Sequence, residues 1–176
     1  MHPWTLLITT HVVAALTSVL LGAHQVWRRP KGDGRHRLLG RVWVVLILWT
    51  AVSSFWIRHI NHGAFSWLHV LSVVTLVTVT LGVVNAVRGN IPGHRGNMVG
   101  SWLGSCGAMV AALAVPGRMI PTHAVAEPGG ALAFALSVLV VTGLLVVLGS
   151  RLATMVDRRA EHSATSEREV ASGIRG

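Results

Sequence analysis

Carboxylates are scarce in this sequence and cysteine is almost absent. The chain has 176 residues and only six acidic ones, Asp33, Glu127, Asp157, Glu161, Glu167 and Glu169. None of them falls inside a long apolar run. That placement excludes the paired carboxylates of hydrolytic acid–base chemistry and the intramembrane acids on which ion-coupled transporters rely. Cys106 is the single cysteine, so one chain can form neither an internal disulfide nor a cysteine metal cluster. The sequence also lacks HExxH, a phosphate-binding GxxxxGK[ST] loop and any Ser/His/Asp arrangement.

What fills the space is apolar. Hydrophobic residues make up 52% of the chain and charged ones 12%, and the charges stand between long apolar runs instead of alternating with them. This is the composition of an integral membrane protein. A net charge of +9 does not point to nucleic acid here, because the Arg and Lys residues cluster at the ends of apolar runs, where lipid headgroups lie. No basic segment precedes the first apolar run, which is long enough to span a bilayer and reads as a membrane helix, not a cleaved signal.

Five spans are expected, at about residues 4–27, 38–57, 65–87, 98–115 and 131–150, making residues 1–150 a transmembrane domain. Residues 151–176 read as a charged cytoplasmic tail with too few apolar residues to build a core, hence disordered. The turn over residues 28–37 carries Arg28, Arg29, Lys31, Arg35 and Arg37. By the positive-inside rule the N-terminus is outside, the tail is cytoplasmic, and the protein resides in the cell's inner membrane.

The histidines are spaced in a repeat. His11 and His36 are 25 residues apart, as are His69 and His94, and the second set lies 58 residues beyond the first. His36-Arg37 and His94-Arg95 each open a hydrophobic run. The chain therefore reads as a two-helix unit written twice, an all-α, pseudo-symmetric four-helix bundle with a fifth transmembrane helix beside it. In an up-down-up-down bundle helices one and three are diagonal, as are two and four. That topology sets His11 opposite His69 near the outer side and His36 opposite His94 near the inner side. At about 1.5 Å per residue, His11 stands roughly 25 Å from the inner end of its span, so the two levels are separate sites. At about 100° per residue His11 shares a stripe with Ala15, Ser18, Gly22 and Gln25, and His36 shares one with Gly40, Trp43, Ile47 and Ser54. Gly96, Gly100 and Gly104 form a small-xxx-small ladder beside His94, leaving room for a close helix or a flat cofactor.

Taken together, His11, Gly22-x-x-Gln25, Gly34-x-His36-Arg37-x-x-Gly40-Arg41, His69 and His94-x-x-x-Met98 resemble a family of small bacterial membrane proteins grouped as a predicted membrane domain of unknown function. The resemblance covers about His11 to Met98 and carries no activity with it. The architecture is also similar, more loosely, to diheme cytochrome b four-helix proteins, although His36 and His94 open their spans and such ligands usually lie a turn or more inside. That second resemblance implies heme b and transmembrane electron transfer. His11 and His69 would then be ligands of an outer heme and His36 and His94 of an inner one, with Arg37 and Arg95 pairing with propionates and a quinone or redox protein as partner.

Other readings start from the same residues. Intramembrane histidines can bind a transition metal, or simply knit helices together in an assembly subunit. His36, Arg37 and Arg41 could face a quinone through a lateral opening to lipid. His59, His62 and His123, with His69, could make a surface Zn or Cu site, since imidazole suits both ions.

Overall fold

The computed structural model of the protein describes residues 6–57, 67–114 and 128–173. Among these residues the fold is all-α, with helices α1 (Leu6–Trp27), α2 (Gly34–Ser54), α3 (Trp67–Val87), α4 (Ile91–Ala114) and α5 (Pro128–Gly173). Four of them, all but α4, are long and apolar enough to cross a membrane. Pro92, Gly93, His94, Arg95 and Asn97 dilute the apolarity of α4, which at 24 residues still has the length to span.

The turns explain the boundaries. Asp33 caps α2, its carboxylate accepting from the His36 backbone N–H at 2.9 Å. The same carboxylate takes a two-pronged ion pair from Arg28, 2.6 Å on each side. The Arg28 guanidinium thereby holds the Asp33 carboxyl well below the usual carboxylate range. Gly32, at φ +84°, supplies the left-handed step in this turn.

Between α3 and α4 one short link does two jobs. Gly89, at φ +74°, ends α3, with the Gly89 N–H donating to the Ala86 carbonyl and the Asn90 N–H to the Asn85 carbonyl. The Asn90 side chain then accepts from the Gly93 N–H at 3.1 Å and starts α4. Pro92 falls in the first turn, where its missing N–H costs nothing. Hence α4 begins at Ile91, about seven residues before the span boundary drawn from apolarity.

The first four helices close a ring. Each packs on its chain neighbour and α4 returns to α1, so α1 and α3 are diagonal, as are α2 and α4. Helix α5 lies outside the ring against α2 and α1. It does not stop near Ser150. It runs on to Gly173, where an unstructured tail was expected, because the sequence from Arg151 to Ser172 contains neither proline nor glycine and is rich in the helix formers Ala, Arg and Glu.

The core is inside out relative to a water-soluble protein. Leu21, Leu39, Trp43, Ile47 and Val79 pack at the centre, but buried with such residues are Thr17, Ser18, Ser53, His69, Thr75, Ser101 and Thr142. Many large apolar side chains point outward, among them Val45, Trp49, Val77, Leu81, Leu139 and Leu144. Lipid solvates those side chains as well as a core would, so hydrogen bonds and close packing hold the helices together instead. Bonds of this kind run between Thr78 and Ser101 (2.7 Å, α3 to α4) and between Ser54 and Ser72 (2.7 Å, α2 to α3).

Candidate functional site

The repeat puts one histidine near the start of each even-numbered helix, and the ring brings these two together. The His36 and His94 rings, on diagonal helices, have centroids 6.3 Å apart with planes at 87°. The two rings lie edge to face, although both residues stand in the first turn or so of their helices. Their backbones begin early enough, through the Asp33 and Asn90 caps, to carry both rings toward the bundle axis.

Hydrogen bonding fixes the proton on one ring. His94 Nδ1 lies 2.9 Å from the Gly82 carbonyl. A carbonyl only accepts, so Nδ1 carries the proton and Nε2 keeps a lone pair. Residue 24 is the repeat equivalent of Gly82, but His36 does not reproduce this bond. Its Nδ1 is buried without a hydrogen-bond partner among the described residues. Instead Gln25 donates from Nε2 to the His36 backbone carbonyl at 2.9 Å, tying α1 to the start of α2.

The Gly22-x-x-Gln25 signature acquires a physical reading here. Trp43 donates its indole N–H to the Ser18 carbonyl (2.8 Å) and Trp102 donates to the Val19 carbonyl (2.9 Å). The two indoles come from diagonal helices and lodge over Gly22, where a Cβ would collide with Trp102 and lie 2.7 Å from Trp43 Nε1. Trp27 abuts Trp102 edge-on, centroids 5.4 Å apart. Sequence reading singled out Gly22 but missed Trp102, whose only signal was a tryptophan amid small residues on α4.

At the other end of the bundle His11 and His69 both approach the end of α2. His11 Nδ1 is 2.8 Å from Ser53 Oγ. Because the Ser53 hydroxyl donates to the Trp49 carbonyl at 2.6 Å, the imidazole is the donor in that bond. His69 is buried, its ring 5.8 Å from that of Phe55.

Other expected residues are placed differently. Arg37 and Arg95 are exposed, about 100° around the helix from their histidines. The Gly96/Gly100/Gly104 ladder meets no close helix: a Cβ at Gly96 or Gly100 would find open space, and one at Gly104 only Leu71 at 3.9 Å. His59, His62 and His123 lie outside the described residues, and so does the surface metal site drawn through them. Among the described residues no three His, Cys, Asp or Glu side chains gather into a group that could hold a metal ion.

Fold and site thus define a polytopic helical membrane protein with a histidine-bearing bundle. The chain belongs to the family described as "Predicted membrane protein (DUF2306)", whose model matches residues 8–152. That match is wider than the motif-bearing stretch, for it includes all of α4 and the membrane half of α5. No curated protein and no solved structure matches the chain.

Proposed function

We propose that the inner level of the bundle is a bis-histidine site for heme b and that the protein moves electrons within the cytoplasmic membrane. The observation that carries this reading is the His36–His94 spacing. Two imidazole nitrogens on opposite sides of a shared metal, each about 2.0–2.1 Å from it and about 1.1 Å from its own ring centre, would put the ring centres a little over 6 Å apart. The rings of His36 and His94 are separated by 6.3 Å.

The donor chemistry fits too. A ligating histidine commonly donates its other N–H to a backbone carbonyl, which orients the ring and raises the basicity of the ligating nitrogen. His94 does so to Gly82. His36 lacks this support: its Nδ1 is buried without a hydrogen-bond partner among the described residues, which costs about 1–3 kcal/mol unless something satisfies it. Gln25 steadies the His36 backbone. Heme, when bound, would supply an iron that changes oxidation state, and His36 and His94 would hold it through ring nitrogens.

His11, hydrogen-bonded to Ser53, and His69, packed near Phe55 at the same end of α2, form the candidate outer site. A quinone or redox protein would exchange electrons with either level. One observation favours a purely structural role for the histidines: the His11–Ser53 bond joins α1 to α2 and the His94–Gly82 bond joins α4 to α3, as helix-knitting side chains do in membranes.

A reduced-minus-oxidised visible spectrum of protein purified from heme-replete cells separates the two. The heme reading expects a Soret band and sharp α bands that disappear or shift in His36→Ala and His94→Ala. A folded, monodisperse and colourless wild-type protein refutes it and leaves the knitting role.

A further inference from the structure

The continuation of α5 beyond Ser150 creates a second feature, away from the histidine pair. Its residues Thr154 and Arg158 meet the turn between α1 and α2 and enclose an open pocket of about 680 Å³. Among the described residues four arginines line it, Arg28, Arg29, Arg35 and Arg158, against one carboxylate, Asp33. Asp33 is already consumed by Arg28 through both oxygens. Arg35 donates from Nε and Nη2 to Thr154 Oγ1, at 3.3 and 2.9 Å, which ties α2 to α5 and sets one wall. Neither the Arg29 nor the Arg158 side chain has a hydrogen bond or ion pair among the described residues, and both are exposed. On the inner wall the His24 Nε2 is buried without a hydrogen-bond partner among the described residues.

We propose that this pocket binds a phosphate group, with Arg29 and Arg158 as its principal ligands and Arg35 and His24 as supporting donors. Guanidinium forks suit phosphate oxygens better than ammonium groups do, because they present paired N–H donors in one plane. The volume exceeds that of a bare phosphate and admits a glycerol or similar group attached to it. The pocket's position favours a lipid source: α1 and α2 both end here, and Trp27 is exposed beside it, which is the level at which headgroups lie. A water-soluble phosphoryl compound offers the same oxygens, and the experiment distinguishes them.

Full-length protein in phosphatidylcholine nanodiscs would be titrated with radiolabelled dioctanoyl phosphatidate and, separately, with radiolabelled inorganic phosphate, at low and high salt. Saturable binding is expected, with Arg29→Gln and Arg158→Gln each weakening it about tenfold, as loss of a charge-assisted hydrogen bond does. Arg95→Gln, an exposed arginine outside the pocket, should leave it unchanged. Binding of phosphatidate alone identifies a headgroup site, whereas binding of both identifies a site for a soluble phosphoryl compound. The proposal is overturned if neither probe binds, or if the Arg95 variant weakens binding as much as the pocket variants. Because Arg29 and Arg158 support no other described contact, an unchanged melting temperature in their variants separates lost binding from lost folding.

Discussion

Replacing Gly22 by alanine adds a single methyl group at the most crowded point of the bundle. That methyl would collide with Trp102 and sit 2.7 Å from Trp43 Nε1, so both indoles must move. Each then loses or stretches its bond to an α1 carbonyl, and interhelical hydrogen bonds in membranes contribute about 0.6 kcal/mol on average and up to about 1.7. Forcing a group into a filled core adds about 1–3 kcal/mol. The expected destabilisation is therefore about 2–5 kcal/mol, opposite in sign to what alanine does at an unconstrained helical glycine. Gly100→Ala is the control, since a Cβ there meets nothing within 4 Å; it should be neutral or stabilising by up to about 1 kcal/mol. Unfolding would be followed in mixed micelles by tryptophan fluorescence, which reports on the displaced indoles directly. A Gly22→Ala protein within about 0.5 kcal/mol of the parent, its emission unshifted, would refute the packing argument, and so would equal effects at Gly22 and Gly100.

The turn and the helix contacts make further predictions. Asp33→Asn should lose the Arg28 ion pair but keep the α2 cap, whereas Asp33→Ala should lose both and be less stable than the Asn variant by about 1 kcal/mol; faster tryptic cleavage after Arg28, Arg29 and Lys31 would report the loosened turn. Since Asp33 is held below its ordinary value by Arg28, its contribution is present above the unfolded carboxyl value of about 3.9 and is lost only as pH falls through the lower folded value. Tryptic or fluorescence-detected stability should therefore not change between pH 5 and 8 on account of Asp33, and a transition in that window abolished by Asp33→Asn would contradict the ion pair. Thr78→Val keeps the side-chain shape and removes the bond to Ser101; a loss of about 0.6–1.7 kcal/mol in the same unfolding assay is expected, and none at all would mean the hydroxyls find other partners.

The sequence itself announced the membrane class and the repeat. Apolar runs bounded by basic turns can be solvated only by lipid, and the 25-residue histidine spacing written twice implied diagonal partners before any contact was known. Helix ends were less legible. Apolarity marks where lipid begins, whereas a helix begins where its first N–H groups find acceptors, so the Asp33 and Asn90 caps started α2 and α4 earlier than the hydrophobic runs did. The same distinction accounts for α5, which continues past its apolar stretch because nothing in the chain breaks it.

Which residues meet was decided only by the tertiary structure. The helical stripes grouped Gly22 with His11 and Trp43 with His36, but a stripe has no rotational phase relative to another helix. Only the closed ring sets the His36 and His94 rings 6.3 Å apart, lays two indoles over one glycine, and turns Arg37 and Arg95 outward. The pocket needed still more, for its arginines come from a turn, from α2 and from a helical segment that reads in sequence as a tail, and no local pattern couples Arg29 to Arg158 across 128 intervening positions. Periodicity and composition are local properties that one chain segment carries alone, while a site is a set of distances between segments, and those exist only once packing has fixed them.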